Sequence, residues 1–181
     1  MREMKSMTEQ IFFDNDCLSA FLWVGRENLI TNLYRSRAML PQQVYDELKR
    51  VNFLKTRIDL MVANGNMIIC QLVLGTPEAD LYVKLTTNPE PGFKLIGKGE
   101  AAAISLTKHR NGILGSNNMK DIYQYIELFK LKYITTGNIL VEALKMKLIT
   151  EGQGNVIWNE MKDKQRKLPT DTFSDFLAGK R

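Results

Sequence analysis

The chain predicts an α/β fold: a three-layer α/β/α sandwich around a central, mostly parallel sheet, with further helices at its C-terminal end. Three observations lead there. Short apolar runs that read as buried strands alternate with amphipathic helical stretches, the order that a parallel sheet covered on both faces requires. The length, 181 residues, suffices for one well-buried core and falls short of two comfortable domains. No internal repeat, low-complexity tract or long linker interrupts the alternation. One domain over residues 1–181 is therefore expected, with a core of about 11–136 and a helical extension of about 137–181.

IFFD (11–14) reads as a short buried strand, and CLSAFLWVGRENLITNLY after it has helical apolar spacing broken near Gly25. AMLPQQVYDELKR begins extended; Pro41 then fits a first helical turn, with Val44, Leu48 and Val51 on one face. NFLKTRIDLMVANG continues as helix to Asn64-Gly65. MIICQLVL (67–74) is the clearest strand, apolar throughout and ended by Gly75. PEADLYVKLTT opens a helix on Pro77 and acidic residues, and TTNPEPGFKLIGKG (86–99) is a loop within the domain. EAAAISLTKHR is a strong helix closed by Asn111-Gly112. GILGS is the next strand, DIYQYIELFKL the next helix and KYITT the last strand. NILVEALKMKLI, GNVIWNEMKDKQ and DTFSDFLAGK read as three helices. The first sets Ile139, Leu140, Ala143, Leu144 and Leu148 on one stripe too broad to leave in water.

Apolar residues make up 44% of the chain and charged residues 25%, as in ordinary globular proteins. The net charge of +5 is compatible with a phosphate-rich partner without requiring one. Two cysteines, Cys17 and Cys70, allow neither a disulfide framework nor a zinc spacing, which suits a reducing cytoplasm. The polar start MREMKSMTEQ and the very short run IFF argue against a signal peptide or membrane span. GKG at 97–99 matches no phosphate-cradling loop, which weighs against a flavodoxin-like nucleotide binder. Trp23 and Trp158 read as packing residues, His109 as a solvated helix end, and Lys108, Arg110, Lys120 and Lys130 as a solvated basic face.

In parallel sheets, ligands bind beyond the carboxyl ends of the strands. Asp14 closes the first strand, Glu47 lies in the helix after AML, Glu100 opens the EAAAIS helix and Asp121 follows GILGS. Each has an ordinary reading: Asp14 as a helix N-cap, Glu47 on an ion-paired face, Glu100 as a complement to the helix dipole. Together they would gather at one sheet edge and repel, so a cation is their expected partner. Oxygen ligands without histidine or thiolate suit Mg²⁺ or Mn²⁺. Asp16, Ser116, Asn117 and Asn118 flank the same edge, either as turn chemistry or as support.

IFFDNDCLSAFL, LPQQVYDELKR, GKGEAAAISLTKHRNGILGSNNMKDI and KYITTGNILVEALKMKLI, in that order, resemble the PIN domain. This is the nuclease fold of VapC-type toxins and of several RNA-processing enzymes, and the resemblance spans residues 11 to about 150. It implies Mg²⁺- or Mn²⁺-dependent cleavage of single-stranded or structured RNA. Asp14 matches the first family acid, Glu47 the second, Glu100 the helix-start glutamate and Ser116 the hydroxyl of a T/S-x-D motif. An Asp is usual where Asn117 or Asn118 stands, so the amides look like neutral isosteres of a carboxylate. Asp121 is then the remaining acid, and Asp16 restores some charge. The expected catalytic set is Asp14, Glu47, Glu100 and Asp121, with Asp14, Glu100 and Asp121 on the metal and Asp16, Ser116, Asn117 and Asn118 in support. A toxin-like ribonuclease with an antitoxin partner follows from the resemblance; the last helix, TFSDFLAGK, either completes the domain or serves a homodimer contact, and the cysteine usage and polar start point to a cytoplasmic location. The alternative, motivated by the Asn pair, is a catalytically weakened PIN-like module that binds RNA or protein.

Overall fold

Residues 9–179 are described by the computed structural model, in which five short strands form one sheet. Residues 1–8, on which most of the leader-peptide reading rests, and residues 180–181 lie outside the described residues. The strands are β1 (Ile11–Phe13), β2 (Ala38–Pro41), β3 (Ile68–Cys70), β4 (Ile113–Gly115) and β5 (Lys132–Ile134). They lie in the order β3-β2-β1-β4-β5, and every pairing is parallel. The chain builds outward from β1 through β2 and β3, then returns to the other side of β1 with β4 and β5. That reversal opens a crevice at the carboxyl ends of β1 and β4.

Helices cover both faces: α1 (Asn15–Trp23), α2 (Glu27–Tyr34), α3 (Gln42–Leu48), α4 (Asn52–Ala63), α5 (Pro77–Thr87), α6 (Lys98–His109), α7 (Met119–Phe129), α8 (Thr136–Lys145), α9 (Glu151–Asp163) and α10 (Phe173–Ala178). Side chains alternate across a strand, so Ile11 and Phe13 join one layer and Phe12 the other. The first layer gathers residues of α1–α4 and α8–α10; the second holds Leu106 of α6 below Phe12 and Met39. The small residues of EAAAIS let α6 lie close against the sheet, buried from Ala101 to Thr107. On β4, a Cβ at Gly115 would stand 2.7 Å from the Phe13 ring, so only glycine fits beside that phenyl group.

Four local expectations need correction. The run MIICQLVL forms strand only over Ile68–Cys70. β3 is the sheet edge and pairs only with the four-residue β2, so from Gln71 the chain leaves toward α5, and Leu74 is 93% exposed. Pro41 ends β2 and caps α3 with extended backbone (φ −57°, ψ 139°), one residue before the helix it was expected to open. NFLKTRIDLMVA is a separate helix, and Val51, at its N-cap, is exposed instead of sharing the Val44–Leu48 face. α8 stops at Lys145 and the chain turns through a left-handed Lys147, which leaves Leu148 outside the buried stripe of Ile139, Leu140 and Ala143.

The C-terminal helices share the core with the first strand. Ile139, Leu140, Ala143, Ile157, Trp158, Met161 and Phe173 belong to the same buried cluster as Ile11 and Phe13. Trp158 has no exposed surface, and its indole N–H donates to the Thr170 carbonyl at 3.0 Å. Cys17 and Cys70 are free and buried. Among the described residues, no helix is long and apolar enough to cross a membrane. Truncating a buried tryptophan removes its packing and leaves a cavity, so Trp158→Ala is expected to cost about 3–5 kcal/mol. The urea midpoint of unfolding measures this; a loss below about 1 kcal/mol would mean that the C-terminal helices are dispensable to the core.

Candidate active site

Asp14 leaves β1 at the crevice and caps α1, as its strand-to-helix position suggested. Its Oδ1 accepts the Cys17 backbone N–H at 2.9 Å, and its Oδ2 accepts a hydrogen bond from the Ser116 hydroxyl. The carboxyl is almost sealed from water (1% exposed), and burial pushes its pKa up to about 7. The Ser116 and Cys17 hydrogen bonds oppose that rise, while nearby Asp16 and Glu100 add to it.

Glu100 occupies the first turn of α6, where its Oε2 accepts the Gly97 N–H at 3.2 Å. Its Oε1 accepts from the Asn118 side-chain amide at 2.5 Å. Burial raises this carboxyl's pKa against those two hydrogen bonds, with Asp16 and Asp121 adding to the rise. Glu47, on α3, accepts from the Asn15 amide and from the Gly99 N–H, both at 3.1 Å. A Cβ at Gly99 would stand 2.9 Å from Glu47 Oε1, so the glycine lets the carboxylate reach the helix start. Asp121, in the first turn of α7, accepts from Asn118 at 3.1 Å and pairs with Lys94 at 3.4 Å. The Asn118 and Lys94 contacts hold its pKa below the usual carboxylate range.

The two asparagines play different parts. Asn117 ties the end of β4 to the start of α8: its Oδ1 accepts the Thr136 N–H at 2.8 Å, and its Nδ2 donates to the Thr136 hydroxyl at 2.7 Å. Asn118 turns toward the acids, and its one NH₂ group donates to both Glu100 and Asp121. The buried Ser116 hydroxyl also accepts the Asn118 N–H, at 3.3 Å.

Asp14, Asp16, Glu47 and Glu100 line one small pocket of about 130 Å³, together with Asn15 and Gly97. Asp121 stands across the Asn118 amide from Glu100, in a second pocket of about 300 Å³ that shares Asp16 with the first. Gln165, Arg166 and Lys167 also wall this second pocket. The sequence reading passed over these three. The basic run KDKQRK was a signal, but nothing local says that it folds back to the crevice. Arg110, read as solvated, is bonded to Glu78 at 2.7 Å, and Lys108 lies over the Phe129 ring.

These oxygen donors suit a hard divalent cation in kind, and three of the acids reach one pocket from different elements. As they stand they are not a closed cage: among the described residues, no three Asp, Glu, His or Cys side chains are grouped to hold an ion. The protein's own donors take up several of these oxygens. Asn118 engages the oxygens of Glu100 and Asp121, and Ser116 with the Cys17 N–H engages those of Asp14.

A family model described as a PIN domain matches residues 10–179, and the chain belongs to the PIN-domain family. It is a nuclease-type family whose members generally use divalent metal ions. No curated protein matches the chain. Among solved structures, a chain of FitAB bound to an IR36 DNA fragment is similar, with 12% identity and a TM-score of 0.48, over 70% of this chain and 95% of that one.

Two expected outcomes follow from the geometry. Asp14 keeps its proton in the fold up to about pH 7, whereas the unfolded chain loses it near 3.8. Its contribution to stability is therefore full below the unfolded value and is lost as pH rises through the folded one. Without divalent ions, the thermal midpoint should fall between pH 5 and 8 by more in the native protein than in Asp14→Asn; parallel profiles would return Asp14 to the ordinary range. Separately, Asn118→Asp removes the bridging donors and adds a third charge. Mn²⁺ affinity by titration calorimetry should rise by roughly tenfold or more, about 1.4 kcal/mol. Equal affinities would reduce Asn118 to turn chemistry.

Proposed function

We propose that this chain is a divalent-metal-dependent endoribonuclease, hydrolysing phosphodiester bonds of RNA in the crevice at the ends of β1 and β4. The observation that carries the reading is the pocket where Asp14, Asp16, Glu47 and Glu100 meet, with Asp121 one amide away. Mg²⁺ or Mn²⁺ would be held by Asp14, Glu100 and Asp121, with Asp16 beside them. When bound, the ion supplies positive charge against the phosphate and acidity to a coordinated water. The remaining work falls to the protein. Ser116 and the Cys17 N–H aim Asp14, the Gly97 N–H aims Glu100, and Glu47 fixes the start of α6 against α1 while presenting its carboxylate to the pocket. Asn118 donates to both Glu100 and Asp121 and so eases their mutual repulsion, a part that the positive charge of a bound cation would supply in its place.

A second reading rests on that same amide. If Asn118 holds the acids permanently, the crevice binds RNA or a protein without cutting. A toxin-like setting, with an antitoxin over the acids, a homodimer and a cytoplasmic location, extends the first reading.

Cleavage of an end-labelled RNA with Mn²⁺ is expected to stop in EDTA and to slow by at least about 10²-fold in Asp14→Asn and in Glu100→Gln, with native circular dichroism retained. Mn²⁺ should support it better than Mg²⁺ because it stands higher in the affinity series. RNA binding indifferent to EDTA, with no cleavage under any ion, would establish the second reading instead.

A further inference from the structure

The crevice continues past Asp121. Its second pocket shares Asn117 and Lys167 with a larger cavity of about 640 Å³, within the size range of small-ligand sites. Tyr133 of β5 and Phe176 of α10 form aromatic walls of that cavity, and Met119, Leu168 and Pro169 add apolar surface. Asn138 contributes an amide. Phe176 is set in place from behind, its ring 5.4 Å from that of Trp158 and packed against Gly137, where a Cβ would collide with it. Tyr133 is 42% exposed.

Two cations, Arg166 and Lys167, wall the pocket that holds Asp16 and Asp121, and Lys167 also lines the aromatic cavity. α9 ends in a tight reversal in which Gln165 is left-handed (φ 60°), Gln165 N–H bonds to Lys162 O at 2.8 Å and Arg166 N–H to Met161 O at 3.0 Å. That turn sends Arg166 and Lys167 back toward the crevice. Leu168 then packs on the core. Arg166 Nε donates to the Lys164 carbonyl at 3.0 Å, and neither Arg166 nor Lys167 has a carboxylate partner among the described residues.

We propose that the 640 Å³ cavity is a base-binding subsite for single-stranded RNA. A nucleobase stacks against the Tyr133–Phe176 wall while its phosphate is met by Arg166 and Lys167, and the chain then runs toward Asp121 and Asp14. The order of surfaces selects this ligand. A nucleotide joins a flat aromatic group to a negative charge, and the groove joins an aromatic wall to a pair of cations. An apolar peptide would leave the cations unmatched, and an acidic one would leave the aromatic wall unmatched. The proposal rests on the nuclease reading only for the direction in which the RNA runs.

Fluorescence anisotropy with a short single-stranded RNA, in EDTA so that cleavage plays no part, tests it against an abasic ribose-phosphate strand of equal length. Tyr133→Ala is expected to weaken RNA binding by about five- to tenfold and to leave the abasic strand unaffected. Arg166→Ala with Lys167→Ala should weaken both strands and flatten the salt dependence by about one to two in log–log slope. RNA affinity indifferent to Tyr133→Ala overturns the subsite, and a cavity reserved for a peptide would give that result. Equal weakening of both strands by Tyr133→Ala overturns it as well. Base-dependent weakening in a protein that never cleaves RNA keeps the subsite and sinks the nuclease reading.

Discussion

A carboxyl group shut away from water must be satisfied by donors, by a proton or by a cation, and Asp14 has two donors and a pKa raised by burial. The Cys17 N–H ties it to the first turn of α1, and the Ser116 hydroxyl ties it to the end of β4. One side chain thus closes the strand-to-helix turn after β1 and links β1 to its neighbour at the point where the sheet reverses direction. The N-cap reading and the site reading were not rivals here. A cap buried at a switch point is a fixed carboxylate facing a crevice, and the sheet sets what else faces it.

The rest of the crevice follows from how negative charge is kept there without collapse. Glu47 is met by backbone and amide donors, Glu100 by the Gly97 N–H, and Asp121 by the Lys94 ammonium. Between Glu100 and Asp121 the bridging group is an amide. An amide donor costs far less to bury than a third carboxylate, so Asn118 lets the acids stand together in a stable fold. The same hydrogen bonds compete with any cation for the same oxygens. On the metal-dependent reading, stability without an ion and affinity for one would be opposed at this residue.

Much of this was legible from residue order alone. Strongly patterned stretches such as IFF and EAAAIS announced their elements, and the strand end at Asp14 and the helix start at Glu100 pointed to the same side of a parallel sheet, where the two line one pocket. Strand length at the sheet edge was not legible: MIICQLVL is apolar to its end, but pairing stops where β2 stops, and that is a property of the neighbour. The division of labour between Asn117 and Asn118 was hidden for a related reason. Consecutive loop residues point different ways, and only the position of α8 decides that the first amide caps Thr136 while the second turns to the acids.

The C-terminal helices show how a packing requirement reaches into the site. α8, α9 and α10 bury Ile139, Leu140, Ile157, Trp158 and Phe173 in the core that β1 founds. They cannot shift independently of it. α8 begins at Thr136, which Asn117 holds, so its start is pinned to the end of β4 and to the crevice. α9 ends in the left-handed turn at Gln165, and the Trp158–Thr170 hydrogen bond holds down the chain that follows. Lys167 is therefore set on a segment braced at both ends, beside Asp16 and Asp121, by contacts that also stabilise the fold. A change at Trp158 made for the core would move the cations along with it. The groove and the core are in that sense one mechanical unit.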